Sequence, residues 1–88
     1  MSIKVRLNMP LQNLAGGKER IEITGNTVRE CLDDLIRRLP GAEKTIFDNS
    51  GYPIPLILVN NTYLPQGELD RDIKDGDELS IITMLFGG

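Results

Sequence analysis

Thr27-Val28-Arg29-Glu30-Cys31-Leu32-Asp33-Asp34-Leu35-Ile36-Arg37-Arg38-Leu39-Pro40-Gly41 spells out an amphipathic helix with both of its ends. Thr27 followed three residues later by Glu30 matches a capping box, with Thr27 as N-cap. Val28, Cys31, Leu32, Leu35, Ile36 and Leu39 recur at intervals that return to one side of a 3.6-residue helix. Arg29, Glu30, Asp33, Asp34, Arg37 and Arg38 fill the other side. Arg37 and Arg38 fall in the last turn, where positive charge opposes the helix dipole. Pro40-Gly41 stops the helix. The spacing predicts a helix over Val28–Leu39.

Upstream, Glu19 to Thr24 alternates, with Ile21 and Ile23 on one side. Gly25 and Asn26 end that strand. Further upstream, Ser2 to Asn8 alternates as well, with Ile3, Val5 and Leu7 on one side and Lys4, Arg6 and Asn8 on the other. Pro10 stops it, because proline has no N–H to donate. Leu11 to Lys18 reads as a connection anchored by Leu11 and Leu14. Its Gly16-Gly17 pair permits a reversal. The two strands therefore form a hairpin with a long loop.

Downstream, Ala42 to Phe47 reads as a short helical turn. Asp48-Asn49-Ser50-Gly51 is a turn, and Leu56 to Val59 is an apolar strand. Asn60-Asn61-Thr62 turns into a minor strand at Tyr63-Leu64. Pro65 to Asp75 reads as mostly irregular, with the charge-rich stretch from Glu68 onward as a solvated loop. After the Lys74-Asp75-Gly76-Asp77 turn, Glu78 to Met84 is the last strand. This order predicts an α+β fold of the β-grasp kind, a small mixed sheet with one main helix packed across it. The first and last strands would be parallel neighbours in the middle. The expected core holds Ile3, Val5, Leu7, Ile21, Ile23, Cys31, Leu35, Leu79 and Ile81. The expected organisation is a single domain over 1–88, with 85–88 as a flexible tail.

Composition narrows the function. The 88 residues carry 10 Lys and Arg against 13 Asp and Glu, a formal net charge of −3. The basic residues are scattered, unlike the clustered footprint of a nucleic-acid binder. The mild acidity suits a protein partner with a basic docking face. One cysteine and no histidine exclude an internal disulfide, a zinc site and an imidazole acid or base. No metal or bound cofactor is expected. No apolar run is long enough to span a membrane, and no signal-peptide core opens the chain. The expected compartment is the cytoplasm, with neither nucleic acid nor membrane as partner.

The chemistry is read from Ile81-Ile82-Thr83-Met84-Leu85-Phe86-Gly87-Gly88. Two glycines after a strand make a thin arm that enters a narrow slot and adopts conformations closed to other residues. The carboxylate of Gly88 is a poor electrophile until it is activated. Adenylation supplies a leaving group and allows attack by sulfide, which yields a thiocarboxylate directly, or by a persulfide, whose acyl disulfide a thiol then cleaves to the thiocarboxylate. Nothing in that sequence of steps needs a catalytic side chain from this chain. Gly88 is thus the candidate reacting residue and Gly87 its slender neighbour. Ile82, Met84 and Phe86 share strand parity opposite to Leu79 and Ile81, which marks them as candidate partner-binding residues; the other reading folds Phe86 back onto the domain. Cys31 lies on the apolar helix stripe, which favours packing over a persulfide relay.

The whole chain resembles the ThiS/MoaD family of ubiquitin-like sulfur carrier proteins, and the MoaD-like and CysO-like members most. The resemblance rests on Ile3-Lys4-Val5-Arg6-Leu7, Leu14-Ala15-Gly16-Gly17, Thr27-Val28-Arg29-Glu30 and Val59-Asn60-Asn61. It continues through Lys74-Asp75-Gly76-Asp77-Glu78-Leu79 and closes on Gly87-Gly88. It implies a non-catalytic carrier whose terminal glycine is adenylated by a ubiquitin-activating-type enzyme that uses ATP. The thiocarboxylate would then serve a sulfur-transfer or synthase enzyme in molybdopterin, thiamine or cysteine synthesis. Met84, Leu85 and Phe86 depart from the small residues or prolines common in family tails, which leaves the pathway open. A protein modifier joined to lysines through Gly88 shares the same first step. A passive interaction module is a third reading, in which Gly87-Gly88 would be dispensable.

Overall fold

The computed structural model describes residues 2–9, 11–50 and 54–82. In chain order its elements are β1 (Ile3–Leu7), α1 (Leu11–Leu14), β2 (Arg20–Ile23), α2 (Val28–Arg38) and α3 (Glu43–Ile46). Then come β3 (Leu56–Val59), β4 (Thr62–Tyr63), a 3₁₀ turn over Gln66–Glu68 and β5 (Glu78–Ile82). The sheet order is β2-β1-β5-β3-β4. β1 and β5 run parallel at its centre, with Val5 opposite Leu79 and Leu7 opposite Ile81. The remaining pairs are antiparallel. This is the expected small α+β fold of β-grasp type.

Alternation within each strand puts one set of side chains under α2. Ile3, Val5, Leu7, Ile23, Ile57, Leu79 and Ile81 meet Val28, Cys31, Leu32, Leu35 and Leu39, and all are buried. Burying a side chain of this size contributes roughly 1.5–3 kcal/mol, so the α2 stripe is the largest stabilising feature of the helix. Ile21 was expected in this core but is only half-buried. β2 is an edge strand, so Ile21 lies at the margin of what α2 covers.

The cap of α2 differs in one detail from the expected box. The Glu30 N–H donates to Thr27 Oγ1 at 3.2 Å. The Glu30 carboxylate, however, accepts from the N–H of Asn26 at 2.9 Å, one residue before the N-cap. The N–H groups of the first helical turn need acceptors. Val28 N–H donates to the Arg71 carbonyl at 3.1 Å and Arg29 N–H to that of Leu69 at 2.8 Å. The segment read as a solvated loop is therefore a structural part: it caps α2 through its backbone and buries Leu69 and Ile73. At the other end the helix stops at Arg38, with Leu39 as C-cap.

Two more boundaries shift. The first turn of the Leu11–Lys18 connection is the short helix α1. β4 covers Thr62–Tyr63, and Leu64, just past it, still donates its N–H to the Ile57 carbonyl at 2.8 Å and buries its side chain. The β3–β4 turn uses Asn60 (φ 50°) and Asn61 (φ 68°), both left-handed, as a two-residue hairpin turn of this twist requires. Among the described residues, no helix is long and apolar enough to cross a membrane.

Candidate functional site

β5 leads toward the expected reacting residue, so its end defines the site. Ile82 is the last described residue of that strand and lies opposite Leu56. Both are 38% exposed. Met84, Phe86, Gly87 and Gly88 lie outside the described residues, so of the expected docking trio only Ile82 has a position in the structure. It points away from the core, opposite to the buried Leu79 and Ile81.

The cross-strand register arranges the open face of the sheet into rows. One row runs Arg20, Arg6, Ser80, Leu58, Tyr63 from β2 to β4. A row toward the other end of β5 runs Glu22, Lys4, Glu78. Leu56 and Ile82 form the row nearest the tail. The face is thus divided. Leu56, Leu58, Tyr63 and Ile82 make an apolar half, with Tyr63 53% exposed. Arg6 and Arg20 make a cationic half.

Ser80 sits between the halves. It is 7% exposed, because a small side chain on the central strand is overhung by its neighbours Arg6 and Leu58. The result is a shallow groove floored by Ser80 and flanked by Arg6, Leu58, Asn61 and Ile82. Arg6 and Arg20 face each other across β1 and β2, an unfavourable like-charge pair. Arg20 Nε lies 4.0 Å from Glu78 Oε2, at the limit of an ion pair. The mild overall acidity suggested a partner with a basic docking face. The open face does not share that acidity: Lys4, Arg6 and Arg20 stand there against Glu22 and Glu78.

The one cysteine of the chain does not belong to this face. Cys31 is fully buried. Burial, and then the negative charges of Asp34 and Glu30, push its thiol up to about 11. A thiol in that state is not an attacking group near neutral pH. Gly25 is packed against it: a Cβ there would stand 2.7 Å from the Cys31 backbone nitrogen and 2.8 Å from its Sγ. Among the described residues, no group of three His, Cys, Asp or Glu could hold a metal ion.

Sequence reasoning found Ile82 by strand parity but missed Arg6, Leu56, Leu58, Tyr63 and Ser80 as its companions. Their alternation was visible within each strand. Which of them stand side by side depends on register, which no single segment carries.

A family model described as the ThiS family matches residues 5–88. Comparison with curated protein sequences finds no match. Among solved structures, that of the Amycolatopsis orientalis BexX/CysO complex contains a chain 28% identical to this one. It covers 98% of this chain and 99% of its own, with a TM-score of 0.83. SAMP1 from Haloferax volcanii is 25% identical over the full length of both chains, with a TM-score of 0.85. The solution structure of small archaeal modifier protein 1 from Methanosarcina acetivorans is 26% identical, covering 99% of this chain and 96% of its own at a TM-score of 0.83.

Proposed function

From the premise that the chain belongs to the ThiS family of ubiquitin-like sulfur-carrier and modifier proteins, we propose that it carries sulfur on the carboxylate of Gly88. A ubiquitin-activating-type enzyme binds the open sheet face and takes the tail into its ATP site. The Gly88 carboxylate attacks the α-phosphorus of ATP and pyrophosphate leaves. A sulfide-equivalent nucleophile then attacks the acyl carbon, AMP leaves, and a thiocarboxylate remains. A sulfur-transfer or synthase enzyme in molybdopterin, thiamine or cysteine synthesis accepts that sulfur. The work takes place in the cytoplasm, and this chain contributes no catalytic side chain.

The observation that carries this reading is the placement of Ile82. The strand that precedes Gly87-Gly88 borders an apolar strip in which Leu56, Tyr63 and Ile82 are exposed and Leu58 is half-buried. Solvent-exposed apolar side chains grouped in this way favour a docking surface. Met84 and Phe86 share sequence parity with Ile82 and join it as docking residues on this reading. Arg6 and Arg20 beside it favour a partner that presents carboxylates there. Gly87 keeps the arm narrow where it enters the slot.

A second reading has its own support: two relatives of similar size bear the name of a modifier protein. On that reading the acyl-adenylate ends as an isopeptide bond to lysine. Mass spectrometry of the chain purified from its own cells separates the two. Sulfur carriage gives a free chain heavier by the difference between sulfur and oxygen, with the change located on Gly88. Conjugation gives target lysines bearing an Asp75–Gly88 remnant after trypsin, because no Lys or Arg follows Lys74. If neither species forms, and removal of Gly87-Gly88 leaves the cellular function intact, the carboxylate mechanism is wrong.

A further inference from the structure

We propose that the outer edge of β2 is a second docking site, one that takes an extended acidic peptide segment of a partner protein as an added strand. The edge is open by construction. β2 is the first strand of the sheet and pairs only with β1. The Leu7 N–H donates to the Glu19 carbonyl at 2.8 Å. By the alternation of an antiparallel ladder, Ile21 and Ile23 then bond to β1, while Arg20 and Glu22 turn their N–H and C=O groups outward. The Lys4 N–H bond to the Asp77 carbonyl, on the β5 side of β1, fits the same parity. No described residue bonds the outward groups of Arg20 and Glu22.

A cleft of about 710 Å³ runs along this edge. Leu14, Ala15, Ile21 and Leu39 give it an apolar wall on the helix side. Leu14 is 41% exposed and Ile21 is half-buried, so alternate apolar side chains of an added strand have surface to cover. The rim is cationic. Lys18 and Arg38 stand on the helix side, and Lys4 and Arg20 on the open-face side, against Glu22 in the lining and Glu78 beside Lys4 and Arg20. Arg38 is already engaged by Asp34 at 2.7 Å. Lys4 and Lys18 form no ion pair among the described residues. On a chain of net charge −3, this local excess of cations selects an acidic occupant. It also repels a second β2 edge, which would bring the same cations, so a heterologous strand fits better than a copy of this chain. β1 separates the cleft from β5, roughly 10 Å away at ordinary strand spacing, so the site is distinct from the strip around Ile82.

The test is an amide-resolved NMR titration of the full chain with an acetylated Asp-Val octapeptide repeat, with its Lys-Val counterpart as control. The acidic peptide is expected to shift and protect the Arg20 and Glu22 amides and to bind more weakly as salt is raised. Lys18→Glu should weaken it roughly fivefold. Glu22→Pro removes an outward N–H that β1 does not use and should weaken it roughly tenfold. Should the proline variant unfold, Lys18→Glu carries the test alone. Equal binding of the Lys-Val peptide would overturn the proposal. So would shifts confined to β4 or to the Ile82 strip, unchanged affinity in the Lys18 variant, or edge shifts that appear with protein concentration alone. Displacement of the peptide by a single-stranded oligonucleotide would also overturn it.

Discussion

Asp34 joins three partners through one carboxylate. It is 6% exposed on the α2 helix. It accepts from the Thr24 N–H at 3.0 Å, Arg37 Nη2 at 3.0 Å and Arg38 Nε at 2.7 Å, so it ties the last turns of α2 to the end of β2. Burial alone would raise its pKa. The bond from Thr24 and the charges of Arg38 and Arg37 together outweigh burial and hold it below the usual carboxylate value. A folded-state pKa below the unfolded value of about 3.9 contributes stability above that pH and loses it as pH falls through the folded value. Asp34→Asn should therefore lower the melting temperature at pH 7, by about 1–2 kcal/mol in stability. The gap between variant and wild type should close below about pH 4. A gap that stays constant down to pH 2 would show that the carboxylate charge is not what stabilises the contact. The neighbouring Cys31 and Gly25 give a second expectation. Gly25→Ala forces a Cβ onto the Cys31 backbone and should cost about 1–3 kcal/mol. Cys31→Ser buries a hydroxyl and should cost a similar amount, about 1–3 kcal/mol. It should nevertheless leave thiocarboxylate formation near wild type, measured by intact mass after reaction with the activating enzyme. Loss of product from a folded Cys31→Ser protein would restore the persulfide relay as the better account.

At the scale of elements, one side chain adds to the β3–β5 ladder by tying the β3–β4 turn to the start of β5. Asn60 Oδ1 accepts from the Glu78 N–H at 2.9 Å, while Asn60 Nδ2 donates to Asp77 Oδ1 at 3.0 Å. Asp77 Oδ2 in turn accepts from the Lys74 N–H at 2.8 Å. These bonds hold the Asp77 carboxyl below its ordinary pKa, the Asn60 amide first among them. Asn61 supplies the same left-handed backbone without such a network. The two asparagines should therefore separate by substitution. Asn60→Ala loses both side-chain bonds and the asparagine tolerance for positive φ, and should cost about 1–2 kcal/mol. Asn61→Gly should be close to neutral, since glycine adopts that backbone freely. Urea denaturation of the two variants checks the difference, and equal midpoints would refute the role given to Asn60. This element also sets function at a distance: the hairpin carries Tyr63 and brings Leu58 beside Ser80, so its register builds the apolar half of the open face.

For the whole molecule, the proposed docking depends on two surfaces that do not share stability with the core. Ile82 and Leu56 lie on the open face, outside the packing under α2. Ile82→Asp should leave melting within about 0.5 kcal/mol of wild type, as exposed substitutions usually do. It should raise the concentration of carrier needed for half-maximal adenylation roughly tenfold or more, because a charge would be buried against the partner. Pyrophosphate release at varied carrier concentration measures this. Deleting Gly88 should abolish the signal at any concentration, since a displacement of about 1 Å already costs on the order of 100-fold. The two variants thus distinguish docking from chemistry. Ile82→Asp adenylated with wild-type concentration dependence would remove the open face from the mechanism.

Helix α2 and strands β1, β2, β3 and β5 were legible in the sequence because each rests on its own local period: Thr27 capping Val28–Arg38, and alternation from Ile3 to Leu7 or Glu78 to Ile82. The family followed from ordered motifs along the chain. The tertiary structure alone decided how those pieces share space. It placed Arg20, Arg6, Ser80, Leu58 and Tyr63 in one row and left Ile21 at an open edge. It made Asp34 a tie between helix and sheet, and it turned the 69–73 backbone into the cap of α2. Each of these depends on pairing between segments distant in sequence. Periodicity states which face of a strand is apolar, but only the register of its neighbours states what stands beside each side chain.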